Sequence, residues 1–278
     1  MGLGSNRTAW KRQTRYFGHE HSSTYSSLVF DNRGIGFSDT PGVRYSTSEM
    51  AKDAVDLLTH LGWLDLSSSP TRDLNVIGVS MGGMIAQEFG LLVPDRLSSL
   101  ILVSTASRLV RTVPFIENLR QRINMFIPRD MDVQLVEIAH RLLSDGFLAL
   151  PDTEHPSVNF PTNYERFAAN ELQKRKDKDG FTRKGFILQA IAAGWHHKDA
   201  TQVKQLADKV GRQRIFLMHG TADRMIAFPH AETLHEELGE GIQYRAWPGR
   251  GHVLMWEEEK AFDEEIQTFV EKCSRLPS

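Results

Sequence analysis

Ser80 is the residue best placed to do chemistry in this chain, because Gly78 and Gly82 set it in a G-x-S-x-G frame. Leu74 to Val79 before it is a short apolar run of strand character. After it, Met84, Ile85, Phe89 and Leu92 recur at helical spacing. Ser80 is therefore expected at a sharp strand-to-helix turn, where the two glycines keep side chains out of the bend. Such a turn strains the residue and lifts its hydroxyl clear of the sheet. The helix that follows aims its first amides at the same place, where negative charge is favoured. Phosphate-loop patterns are not matched: no Lys-Ser/Thr follows the glycines and no G-x-G-x-x-G occurs here.

A serine hydroxyl is a weak nucleophile unless a general base takes its proton, and that base needs an orienting acid. The C-terminal third supplies both, in the order nucleophile, acid, base. Residues 214–218 read as a buried strand, and His219-Gly-Thr-Ala-Asp223 as the loop leaving it. Residues 243–247 read as the next strand, followed by Pro248-Gly-Arg-Gly-His252. Each candidate thus lies beyond a strand's carboxyl end, where open α/β sheets gather their ligands. His219 reads as a residue that packs at the end of its strand.

With these residues in place the chain resembles the α/β-hydrolase superfamily, on the side of its lactonases, esterases and cofactor-free perhydrolases. The segments that follow the strands also resemble those of fungal hydrolases, which adds no chemistry. The likeness covers residues 1–105 and 212–270. It includes Asp31-Asn-Arg-Gly-Ile-Gly-Phe-Ser-Asp39, and Pro94-Asp-Arg-Leu97 leading into the apolar residues 99–103. The resemblance implies a mostly parallel central sheet flanked by helices, with a helical cap inserted after the family's sixth strand. Residues 1–107 and 200–278 would form the core and residues 108–199 the cap.

It also implies a triad of Ser80, Asp223 and His252, with an oxyanion hole made by the backbone N–H groups of Leu3 and Met81. Neither cofactor nor metal is implied. The chemistry expected is cleavage of a small-molecule ester or lactone, and thioester, C–C and acyl-transfer reactions reuse the same triad. A ligand-binding protein on the same fold is the alternative from another class.

One departure concerns the first site loop, which family members reach from an apolar central strand. Here Met1-Gly-Leu-Gly-Ser5 occupies that place, with Met1 where a His often stands. By resemblance the core is N-terminally truncated, missing a strand between one at residues 26–30 and the one ending at Val79. The expectation is either a longer natural chain or direct pairing of those two strands. Leu3 would then sit where chain ends fray, leaving the oxyanion hole poorly held.

Length and composition fit this reading. The 278 residues suffice for one large α/β core and a cap. A net charge of −2 argues against nucleic acid or an acidic membrane as partner. The single cysteine, Cys273, excludes an internal disulfide framework and suits a reducing, cytoplasmic compartment. No apolar run approaches the roughly 20 residues of a membrane span.

Residues 108–199 lack strand alternation and read as amphipathic helices. Leu119, Ile123 and Phe126 share one face, as do Leu135, Ile138 and Leu142. Residues 165–175 and 185–195 read as two more helices, and the Pro-rich residues 151–162 as a loop. Asp177-Lys-Asp-Gly180 lacks the further acidic ligands of a calcium loop. His196-His197 and His230…His235 lack metal-ligand spacing.

Overall fold

The computed structural model describes residues 1–110, 130–154, 160–176 and 180–277. The helix expected around Leu119, Ile123 and Phe126 and the turn at residues 177–180 lie wholly or mostly outside them. Four strands, β1 (Leu74–Val79), β2 (Leu97–Val103), β3 (Ile215–Gly220) and β4 (Gln243–Trp247), form one parallel sheet in that order. In chain order the helices are α1 (Lys11–Arg15), α2 (Thr47–His60), α3 (Met81–Leu92), α4 (Met131–Leu142) and α5 (Asp145–Ala149). They continue as α6 (Asn163–Lys176), α7 (Arg183–Gly194), α8 (Ala200–Val210), α9 (Pro229–Leu238), α10 (Leu254–Glu257) and α11 (Glu259–Ser274).

Every residue of β2 and β3 is buried, as expected of parallel strands covered on both faces. Their alternation divides the core. Leu100, Leu102, Ile215 and Leu217 pack with α2, α3, α8 and α9. Ile101, Val103, Phe216 and Met218 face Trp10, Phe17 and the apolar side of α11 instead.

Residues 26–30 do not form the expected strand: they carry no ladder, and among the described residues β1 pairs only with β2. Direct pairing of residues 26–30 with the strand ending at Val79 is therefore not observed. Without a neighbouring ladder, strand-prone residues have nothing to exchange hydrogen bonds with. Packing holds them in its place, with Phe30 against the first core cluster and Val29 against the second. Among the described residues the helical insertion follows β2, the strand that the resemblance counts as the family's sixth.

Where it is described, the insertion carries helices α4 to α7. In α4 Leu135 and Ala139 are buried, and Ile138 and Leu142 pack against the cluster that Ala139 joins. Helix α7 sinks further, for Ala192 joins the core cluster and Leu188 and Ala193 pack against it. Arg12 of α1 ties the insertion down by pairing with Glu154 at 2.5 Å and Glu259 at 2.9 Å. Among the described residues no helix is long and apolar enough to cross a membrane.

Beside this tie, Asp263 of α11 is 2% exposed and accepts a hydrogen bond from Gln13 Nε2 at 2.9 Å. Burial pushes its carboxyl up to about 6; Glu259 adds to the rise, while the Gln13 bond and the Arg12 and Arg15 charges oppose it. The folded chain therefore holds a proton there that an unfolded Asp, titrating near about 3.9, has lost. Stability falls as pH rises through that window. Asp263→Asn is expected to raise Tm by about 2–4 °C at pH 7. The gain should vanish near pH 4, and equal gains at both pH values in thermal melts would contradict this account.

Candidate active site

Val79 ends β1 and Met81 begins α3, which leaves Ser80 as the hinge with φ 58° and ψ −122°. A positive φ is uncommon outside glycine, and here neighbours enforce it. Ser80 N–H donates to the Val103 carbonyl at 2.9 Å, and Thr105 Oγ1 donates to the Ser80 carbonyl at 2.7 Å. A Cβ on Gly78 would overlap the Gly82 carbonyl, and one on Gly83 would lie 2.6 Å from Thr105 Cβ. Ser80 precedes α3 without capping it through its side chain. Its hydroxyl thus stays out of the helix's own hydrogen bonding.

Parallel register brings the other two residues to the same edge of the sheet. Val79 lies beside Val103, Val103 beside Met218, and Gly220 beside Trp247. Strand β3 runs through His219 and Gly220, further than the sequence suggests, so the loop carrying Asp223 starts later. Asp223 Oδ1 accepts the N–H groups of Met225 at 2.8 Å and Ile226 at 2.9 Å. Its Oδ2 lies 2.7 Å from His252 Nδ1 and 3.1 Å from His219 Nε2.

Burial would raise the Asp223 carboxyl, but the His252 charge and the bonds from His219 and His252 hold it well below the usual carboxylate range. An ionised carboxylate only accepts, so His252 Nδ1 must carry the proton. Nε2 of the neutral ring is then left with a lone pair, the arrangement a general base requires. Ser80 and His252 share no hydrogen bond among the described residues; such contacts are often long until substrate binds.

His219 is fully buried and sits closer to the chemistry than its sequence reading suggests. Its Nε2 faces the Ile226 carbonyl at 2.7 Å as well as Asp223, two acceptors, which fixes the proton on that nitrogen. The only sequence signal for this is the four-residue spacing from His219 to Asp223.

The first loop reaches the elbow. A Cβ on Gly2 would lie 3.1 Å from Ser80 Cβ and 3.4 Å from Ser80 Oγ. Contacts hold this loop to the rest of the chain: Gly4 N–H donates to Gln189 Oε1 at 3.0 Å, and Leu3 packs on the core. Gln189 Nε2 in turn donates to the Arg33 carbonyl at 2.9 Å. The Asp31–Asp39 block is folded around Asp31, which accepts from Arg7 N–H at 2.5 Å and Phe37 N–H at 3.0 Å. The N–H groups of Leu3 and Met81 donate to no described residue. Among the described residues no cluster of His, Cys, Asp or Glu could hold a metal ion.

Comparison with known proteins places this geometry among relatives. The family model described as Serine aminopeptidase, S33, matches residues 21–259. A Mycobacterium tuberculosis protein named as a non-heme bromoperoxidase, BpoC, is 35% identical over 96% of this chain and 89% of its own length. The 3-oxoadipate enol-lactonase 2 of Acinetobacter baylyi is 30% identical over 38% of this chain, a match spanning only 36% of that enzyme. A thermophilic esterase from Thermogutta terrifontis superposes with a TM-score of 0.71 at 22% identity, covering 98% of this chain and 88% of its own.

Proposed function

We infer the chemistry of this chain from its kinship: the chain belongs to the α/β-hydrolase superfamily and is an enzyme of the carboxylic ester hydrolase type. We propose that it cleaves a carboxylic ester or lactone of a small molecule through an acyl-enzyme on Ser80. The observation that carries this reading is the 2.7 Å bond between Asp223 and His252, at the same edge of the sheet as a serine at positive φ.

In this mechanism His252 Nε2 takes the Ser80 proton as Oγ attacks the carbonyl carbon. Asp223 keeps Nδ1 protonated and stabilises the imidazolium that forms. The Leu3 and Met81 amides, with no acceptor among the described residues, receive the oxyanion at the head of α3. His252 then returns its proton to the leaving alcohol oxygen and activates water to release the acid. The partial likeness to an enol-lactonase supports a cyclic ester as one substrate class.

Labelling with a fluorophosphonate probe tests the reading. The wild-type chain is expected to form a covalent adduct at Ser80 and to hydrolyse short p-nitrophenyl esters or small lactones, while Ser80→Ala does neither. A folded, monodisperse sample that stays unlabelled would refute the proposal.

A further inference from the structure

The loops carrying Asp223 and His252 both rest on one short piece of the insertion, residues 140–145. The Leu142 carbonyl, at the end of α4, accepts the N–H groups of His252 at 2.8 Å and Val253 at 3.2 Å. Arg224, next to Asp223, donates to both carboxylate oxygens of Asp145 at 2.8 Å and to the His140 carbonyl at 3.2 Å. Leu143 and Ser144 between these contacts are buried, at 2% and 6% exposure.

Glu257 fastens this piece to the His252 loop. Its Oε1 accepts from Ser144 N–H at 3.0 Å and from Gly251 N–H at 2.9 Å, and its Oε2 accepts from Ser144 Oγ at 2.5 Å. Gly251 is wedged between the two, for a Cβ there would lie 2.8 Å from both Glu257 Oε1 and the Leu142 carbonyl. Burial raises the Glu257 carboxyl, against the bonds from Ser144 and Gly251 and the Arg250 charge.

We propose that Glu257 is a positioning residue, which locks the Leu142–Ser144 turn of the insertion against Gly251 and thereby sets where His252 presents its imidazole. This rests on the reading of Ser80, Asp223 and His252 as a hydrolytic triad. Glu257 touches none of those three side chains in a hydrogen bond, so its effect passes through the backbone on either side of His252. Deleting its carboxylate strips acceptors from three donors, the Gly251 N–H and the Ser144 N–H and hydroxyl. The turn carrying His252 then relaxes, and displacements near 1 Å cost about 100-fold in rate.

The test compares wild type with Glu257→Ala, Glu257→Gln and Ser144→Ala, each checked for native circular dichroism. In Glu257→Ala, kcat should fall about 10- to 100-fold with KM held within about twofold. The acidic limb of the pH–rate profile should shift as the Asp223–His252 contact loosens. The low-field proton signal of the His252 Nδ1–H should broaden or vanish. Glu257→Gln keeps an amide oxygen for the two N–H groups and should recover most of the loss; Ser144→Ala should lie between.

A folded Glu257→Ala chain with wild-type kcat and an unchanged His252 signal overturns the proposal. So does equal loss in Gln and Ala that tracks Tm alone. Should Glu257→Ala fail to fold, the Gln and Ser144→Ala chains decide by the same readouts. A wild type that neither labels nor turns over would instead refute the hydrolase reading. The His252 proton signal, which needs no substrate, would still show whether Glu257 positions the ring.

Discussion

Ser80→Ala and His252→Ala are each expected to lower kcat by about 10⁵- to 10⁶-fold, and the double variant by no more than either alone. A nucleophile and its base act as one unit: without the base the hydroxyl stays protonated, and without the hydroxyl the base has nothing to activate. The geometry supports this interdependence, because the Ser80 hydroxyl makes no cap bond and His252 has one nitrogen committed to Asp223. Residual turnover would come from the Leu3 and Met81 amides and from substrate binding. Steady-state kinetics of the three variants check this, and losses that multiply in the double variant would show two independent contributions instead.

Asp223→Asn is expected to cost about 10⁴-fold in kcat, through a tautomer change rather than a loss of shape. The carboxylate is ringed by donors, the Met225 and Ile226 N–H groups at Oδ1 and the two histidine nitrogens at Oδ2. An asparagine oxygen would stay with the two backbone N–H groups, which turns its NH₂ towards His252 and His219. His252 must then accept at Nδ1 and carry its proton on Nε2, where the base should be bare. Stability follows the same carboxylate. Because the Asp223 carboxyl lies below its unfolded range, its contribution is present above about pH 4 and lost on acidification. Asp223→Asn should therefore show a shallower acid limb in Tm against pH. An undiminished kcat, or an Nδ1–H proton signal that persists, would refute the tautomer argument.

The placement of Ser80, Asp223 and His252 at one sheet edge was legible because local signals converged on each. Glycines at a strand-to-helix switch mark Ser80, and strands β1 and β4 have the bounds that the sequence suggests. Residues 26–30 misled for a matching reason. Strand propensity is a statement about neighbours, and Val29 and Phe30 found packing partners but no ladder.

Glu257 could not be found at all, since it opens the run Glu257-Glu258-Glu259, which reads as a solvated face. Only the fold shows that the first of the three is buried among donors. His219 carries a weaker version of the same lesson: its ring meets Asp223 because β3 runs on to Gly220.

The path from β2 to β3 bears on how such a chain can change over generations. These strands pair directly although residues 104–214 separate them in sequence. The entropy of closing a long loop grows only logarithmically, by about 0.6 kcal/mol for each doubling of its length. Inserted helices can therefore be lengthened, shortened or exchanged while the sheet keeps its register. What drift cannot discard is the small footprint at Leu142 and Ser144, where the His252 loop finds its acceptor and its fastening. A transplanted insertion that fits every apolar contact yet offers no carbonyl at that spot would yield a well-folded but sluggish descendant.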